Sequence, residues 1–87
     1  MNNTVEVGFD FLSRSLYNGR SMSPISYELS ETTSVSLKFE EVVQRNRVTL
    51  HVRCTLLDRE GCPIVTTLVE PPFTSKTINE AVMSLLL

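Results

Sequence analysis

The sequence predicts one α+β domain: an antiparallel β-meander of four to five strands followed by one C-terminal α-helix. Two observations predict it. Apolar residues alternate with polar ones at period two in successive runs along the chain, which is the pattern of half-buried strands. The last run switches to a helical spacing, which gives one apolar stripe. With 87 residues, the chain is the size of one domain, residues 1–87.

The strands are expected at about 4–17, 20–29, 34–42, 47–57 and 62–70. Val5, Val7, Phe9 and Phe11 alternate with Glu6, Gly8 and Asp10. Asn18-Gly19 follows, the strongest short hairpin signal because both residues tolerate positive φ. Ile25, Tyr27 and Leu29 alternate again, so 4–17 and 20–29 read as a long, imperfect hairpin. Pro24 donates no ladder hydrogen bond, and residues 21–24 fit a loop as well. After the polar link Ser30-Glu31-Thr32-Thr33, Val35, Leu37 and Phe39 alternate with Ser36, Lys38 and Glu40. The cleanest strand is Val48, Leu50, Val52, Cys54 and Leu56 against Thr49, His51, Arg53 and Thr55.

A register with Phe39 across from Leu50, Leu37 from Val52 and Val35 from Cys54 puts all six on one face. Lys38 then meets His51, Ser36 meets Arg53, and residues 43–46 form a four-residue loop. A one-residue slip would mix the faces. Asp58-Arg59-Glu60-Gly61 suits a type I turn with a bulge and Gly61 left-handed. Ile64, Val65, Leu68 and Val69 predict a strand covered on both faces, by the helix and by another subunit. Pro71-Pro72 ends it.

The helix is expected at about 75–87. Thr77 and Glu80 have the spacing of a capping box. Ile78, Val82, Leu85 and Leu86 recur at i, i+4, i+7 and i+8, a core stripe whose end, Leu86 or Leu87, is expected to reach a second subunit.

Composition narrows the function classes. Charged residues are 21% and hydrophobic residues 41%, which excludes a charge-rich disordered tail and a disulfide-dense mini-protein. No window approaches the ~18 consecutive apolar residues of a membrane span. The start, Met1-Asn2-Asn3-Thr4, has no signal-peptide pattern, so a cytoplasmic location is expected. Eight basic residues against ten acidic ones give a net charge of −2. The six arginines are spread along the chain and make no basic stripe for nucleic acid or a membrane surface. A domain this small buries only roughly 60–65% of its unfolded surface, so a second copy would add burial. A homodimer is expected.

The chain offers few candidates for chemistry. Cys54 and Cys62 would lie on the order of 13 Å apart across the proposed turn, too far for a disulfide. Two cysteines and one histidine fall short of a structural zinc site. Two buried free thiols are expected. His51 falls on the polar sheet face beside Lys38 and Arg53, with no nucleophile placed beside it, and reads as a solvated strand residue. Glu40 and Glu41 are adjacent on a strand and point to opposite faces, so they form no acid/base pair. Glycines at 8, 19 and 61 are too far apart for a phosphate loop. No catalytic residue, cofactor or metal is expected. Arg14, Tyr17 and Arg20 cluster around Asn18-Gly19, and Arg and Tyr are favoured binding anchors. They are the expected partner-binding residues.

These features predict a small non-enzymatic protein-interaction module: an inhibitor, adaptor or accessory factor acting by binding another protein, through strand addition at a sheet edge as one mode. Small accessory proteins of phages and mobile elements have this profile. The alternative rests on Val35 to Phe39, Val48 to Thr55 and Ile64 to Phe73 ahead of the helix. This layout over residues 25–87 loosely resembles the SecB export-chaperone family, and the resemblance implies a chaperone-like homo-oligomer.

Overall fold

The computed structural model describes residues 4–17 and 23–86, and side chains from 7–15 and 23–86. The order is α1 (Thr4–Tyr17), β1 (Ile25–Glu28), β2 (Ser34–Gln44), β3 (Arg47–Leu57), β4 (Pro63–Val69) and α2 (Ser75–Leu85). The four strands form an antiparallel meander in the order β1-β2-β3-β4. Both helices pack on one face of it. The meander and the C-terminal helix are as the sequence predicts; the N-terminal helix is not.

The expected strand at 4–17 is α1. A strand would have put Val7, Phe9 and Phe11 on one face. The helix instead buries Val7, Phe11 and Ser15, spaced i, i+4 and i+8, and leaves Phe9 68% exposed. Phe11 packs on Phe39 at a ring-centroid distance of 5.2 Å. Asp10 and Arg14 make an i, i+4 ion pair at 3.7 Å along the helix, a spacing only a helix brings together. Gly8 lies where α1 meets α2: its amide donates to Asn79 Oδ1 at 2.8 Å. A Cβ there would strike the Ser75 carbonyl and Asn79, so only glycine permits this approach.

Of the strand expected at 20–29, the described residues form the four of β1, paired with β2 rather than with the N-terminal segment. The Asn18-Gly19 turn lies outside the described residues. β2 and β3 each run eleven residues. Their register is two residues from the expected one: Phe39 faces Val52, Leu37 faces Cys54, Val35 faces Leu56 and Lys38 faces Arg53. A slip of two keeps every side chain on its face. The loop is therefore two residues, Arg45-Asn46, not four, with φ of 50° and 63°, the positive values a type I′ hairpin turn requires.

The Asp58 turn forms as expected. Gly61 donates to the Asp58 carbonyl at 3.0 Å with φ of +85°, and the β3–β4 register shifts at Leu56/Leu57. Asp58 Oδ1 accepts from the amides of Glu60 and Cys62. After β4 the chain passes the cis Pro71-Pro72 bond to Thr74, which caps α2. The capping box joins Thr74 and Thr77, not Thr77 and Glu80: Thr74 Oγ1 accepts from the Thr77 amide at 3.1 Å, and the Thr74 amide donates to Thr77 Oγ1 at 3.0 Å. The helix starts one turn before the predicted cap because Thr74 has the extended backbone a cap needs.

The core lies between the helices and the sheet. Val7, Phe11, Val35, Leu37, Phe39, Val52, Cys54, Val69, Ile78 and Val82 fill it. Each large apolar side chain buried there contributes about 1.5–3 kcal/mol. The opposite face of the sheet has no described element over it.

Candidate interaction surfaces

Two of the expected partner-binding residues, Arg14 and Tyr17, lie on α1 rather than on a strand. Arg14 is exposed in the last turn of α1 and is engaged by Asp10. Tyr17 is the last residue of α1, its side chain outside the described set, and Arg20 lies outside the described residues altogether. Asp10 also accepts a 2.6 Å hydrogen bond from the Tyr27 hydroxyl, which ties α1 to β1. Burial, then this carboxylate, hold the Tyr27 hydroxyl well above its ordinary pKa.

The α2 stripe packs on the sheet as expected at Ile78 and Val82, both fully buried. Leu85 is half-buried and packs against the core. Leu86, the C-cap, is 45% exposed, and Leu87 lies outside the described residues.

The uncovered sheet face carries a polar network. Arg53 donates to Glu40 from Nε at 2.7 Å and from Nη2 at 2.8 Å, a bidentate pair of the strong kind. Arg53 Nη1 also donates to Thr66 Oγ1, whose own hydroxyl donates to the Cys54 carbonyl, both at 3.1 Å. The Arg53 guanidinium holds the Glu40 carboxyl below its ordinary pKa. His51 faces Glu40 across the strands. It is buried, not solvated as expected; it sits mid-strand, with Glu40 opposite on β2. Its Nδ1 lies 3.5 Å from Thr49 Oγ1. The network pins β2, β3 and β4 together. The Glu40 carboxylate is paired with Arg53 and lies 4.0 Å from the Lys38 ammonium, and the Cys54 sulfur is on the other face.

Both cysteines are free. Cys54 is in the core, and burial pushes its thiol up to about 12. Cys62 is exposed, not buried as expected, because it sits at the rim of the Asp58 turn beyond the helix layer. Among the described residues, no cluster of three His, Cys, Asp or Glu side chains could hold a metal ion. No described helix is long and apolar enough to cross a membrane.

Exposed apolar side chains lie on β4, around the β2–β3 hairpin, and on the helices at Phe9, Met83 and Leu86. β4 is an edge strand, and within the single chain it keeps exposed apolar side chains. Ile64 is 56% exposed, Val65 44% and Leu68 38%. Leu68 shares the uncovered face with Arg53, Val65 and Val69 share the helix face with Val52, and Ile64 is the unpaired residue of the bulge. The other edge, β1, has four residues, ends in Glu28 and follows Pro24. At the hairpin, Val43 and Val48 face each other and are exposed. Beside them, Leu12, Phe39, Leu50, Pro71 and Phe73 line a groove of about 440 Å³. Sequence reasoning gives an exposed sheet edge but not which strand forms it. Its signal is legible afterwards: Pro-Ile-Val-Thr-Thr-Leu-Val holds no charge.

No family model, no curated protein and no solved structure matches this chain. The SecB resemblance therefore rests on the sequence pattern alone.

Proposed function

We propose that this chain is a small, non-enzymatic protein-interaction module of the cytoplasm, an inhibitor, adaptor or accessory factor that acts by strand addition at β4. The observation that carries the reading is the chemistry of that edge. Seven consecutive residues carry no charge, expose apolar side chains on both faces and offer backbone groups along a free edge. Soluble proteins ordinarily blunt such an edge with lysine, inward charges, proline, a bulge or a very short strand; on β4 the proline and the bulge lie at its N-terminal end, and Val65–Val69 carry neither. An edge left open suits an extended partner segment, with main-chain hydrogen bonds for affinity and alternate side chains for selectivity. Two free thiols are in keeping with a reducing compartment.

The test is affinity capture with wild type and with Ile64→Lys, which places a charge on the edge at an already exposed position. The expected result is a defined stoichiometric complex that the variant fails to form. Capture unchanged by Ile64→Lys removes β4 from the reading.

The chaperone-like homo-oligomer is the second reading, favoured by the apolar groove beside exposed Val43 and Val48. It expects protection of unfolded proteins from aggregation at stoichiometric amounts, and absence of protection removes it.

A further inference from the structure

We infer that the groove between α1, β3 and the chain at Pro71–Phe73 is a binding site for a small amphipathic anion, an apolar body ending in a carboxylate. The site lies beyond the end of β4 and stands or falls separately from the reading of that edge. Its apolar walls are Leu12, Phe39, Leu50, Pro71 and Phe73, around a volume of about 440 Å³. That is the size of a small-molecule site, and such sites are lined mostly by apolar and aromatic side chains with a few placed polar groups. Phe39 and Phe73 meet edge to face at 5.6 Å, and Phe39 also packs on Phe11, so the aromatic wall is held in place.

The polar groups of the site are donors without partners. Ser15 lines the groove and is 3% exposed, and among the described residues its hydroxyl has no hydrogen-bond partner. Every fully buried side-chain polar atom described is hydrogen-bonded, so the Ser15 hydroxyl keeps a little exposure, and the opening it lines is the groove. The second donor is the Leu50 amide. Arg45-Asn46 is a two-residue loop, so Gln44 and Arg47 form a hydrogen-bonded pair and, by alternation, Glu41 and Leu50 do not. The Leu50 amide therefore points away from β2, yet β4 pairs with β3 only as far as Val52. Positive charge adjoins these donors. Thr49 is a wall both of the groove and of a second cavity, about 710 Å³, lined also by Gln44, Arg45 and Arg47. Neither guanidinium makes an ion pair among the described residues. The Thr49 hydroxyl itself donates to the Val42 carbonyl at 3.3 Å. Glu41 and Glu70, the carboxylates nearest in register and in sequence, are exposed and line neither cavity. An apolar wall beside a buried hydroxyl, an open amide and two unpaired arginines matches an apolar body with a negatively charged acceptor at one end. A neutral apolar ligand would bury the donors unmet, which costs affinity.

The experiment is a titration of the full isotope-labelled chain, followed by amide shifts in heteronuclear NMR spectra. The probes are octanoate and 1-octanol, its uncharged counterpart of the same length. Octanoate is expected to shift the Leu12, Ser15, Leu50 and Phe73 amides along one saturating curve. Replacing both exposed arginines (Arg45→Gln with Arg47→Gln) is expected to raise its dissociation constant at least about ten-fold and to change that of 1-octanol less than about two-fold. Ser15→Ala removes the hydroxyl and keeps the helix, and is expected to raise the octanoate constant about ten-fold. The same spectra show that each variant is folded. Absence of saturable shifts at the groove amides with millimolar octanoate overturns the site. So do shifts scattered over the surface with no common curve. 1-Octanol binding as tightly as octanoate overturns the anionic head, and so does an octanoate constant that the arginine variant leaves unchanged.

Discussion

Cys54 and Cys62 share a chemistry and differ in everything around it. Cys54 lies among Leu37, Val52 and Val69 with no exposed surface, while Cys62 sits at the rim of a turn. The thiolate is the reactive form, and burial, which raises the Cys54 pKa to about 12, suppresses it. One thiol per folded chain is therefore expected to react with a disulfide reagent at pH 8, and two after denaturation; two fast thiols in the native protein would contradict the packing. The same shift has a pH consequence. An unfolded cysteine ionises near pH ~8.5, and the folded one holds its proton. The stabilisation is full below the unfolded pKa and is lost as pH rises from about 8.5 toward 12. Tyr27, also raised by burial and by Asp10, adds to the loss only above its unfolded pKa near ~10. Urea midpoints taken between pH 8 and 10 should fall in wild type and fall less in Cys54→Val.

At the level of elements, legibility followed the number of structures each pattern could satisfy. β3 has apolar residues at every second position from Val48 to Leu56 and polar ones between, which no helix would bury consistently. α2 repeats at helical spacing, and its stripe is buried at Ile78 and Val82, half-buried at Leu85 and exposed at Leu86. The N-terminal segment satisfies both patterns: Val5, Val7, Phe9 and Phe11 alternate, yet Val7, Phe11 and Ser15 are the buried set. A buried serine and an exposed phenylalanine hide the helix from a reading based on hydrophobicity. The β2–β3 register was half legible for a related reason. Alternation fixes the face but cannot separate registers two residues apart; the turn does so, and Arg45-Asn46 is a poor advertisement for a type I′ turn. Arg45 holds φ of 50°, a conformation that costs an ordinary L-residue roughly 1–2 kcal/mol. Replacing the pair by Asn-Gly (Arg45→Asn with Asn46→Gly) should relieve that strain and stabilise the domain by about 1 kcal/mol, read as a higher denaturant midpoint with unchanged slope. A lower midpoint would mean that the Arg45 side chain contributes more than its backbone costs.

The whole molecule is elongated, 41 by 25 by 21 Å, because the hairpin outruns the helices that cover it. Near the base of β2 and β3, Val35, Leu37, Val52 and Cys54 have no exposed surface; near the tip, Val43 is 70% exposed and Val48 58%. The same two strands therefore pass from a buried half to a half held by ladder hydrogen bonds and a strained turn. Local opening free energy follows buried apolar contact rather than strand membership, so the hairpin should not open as a unit. Under native conditions, amides of residues 35–39 and 52–56 are expected to exchange only through global unfolding. Those of the inter-strand bonds in 42–44 and 47–49 should exchange at least about ten-fold faster, a gap of ~1.4 kcal/mol in opening free energy. Pairing of β4 would leave this gradient unchanged, since the tip lies across β3 from that edge and β4 reaches only as far as Val52. Uniform protection along both strands would mean that something covers Val43 and Val48 in solution. It would also move the search for a second contact surface from the sheet edge to the hairpin and the groove beside Phe73.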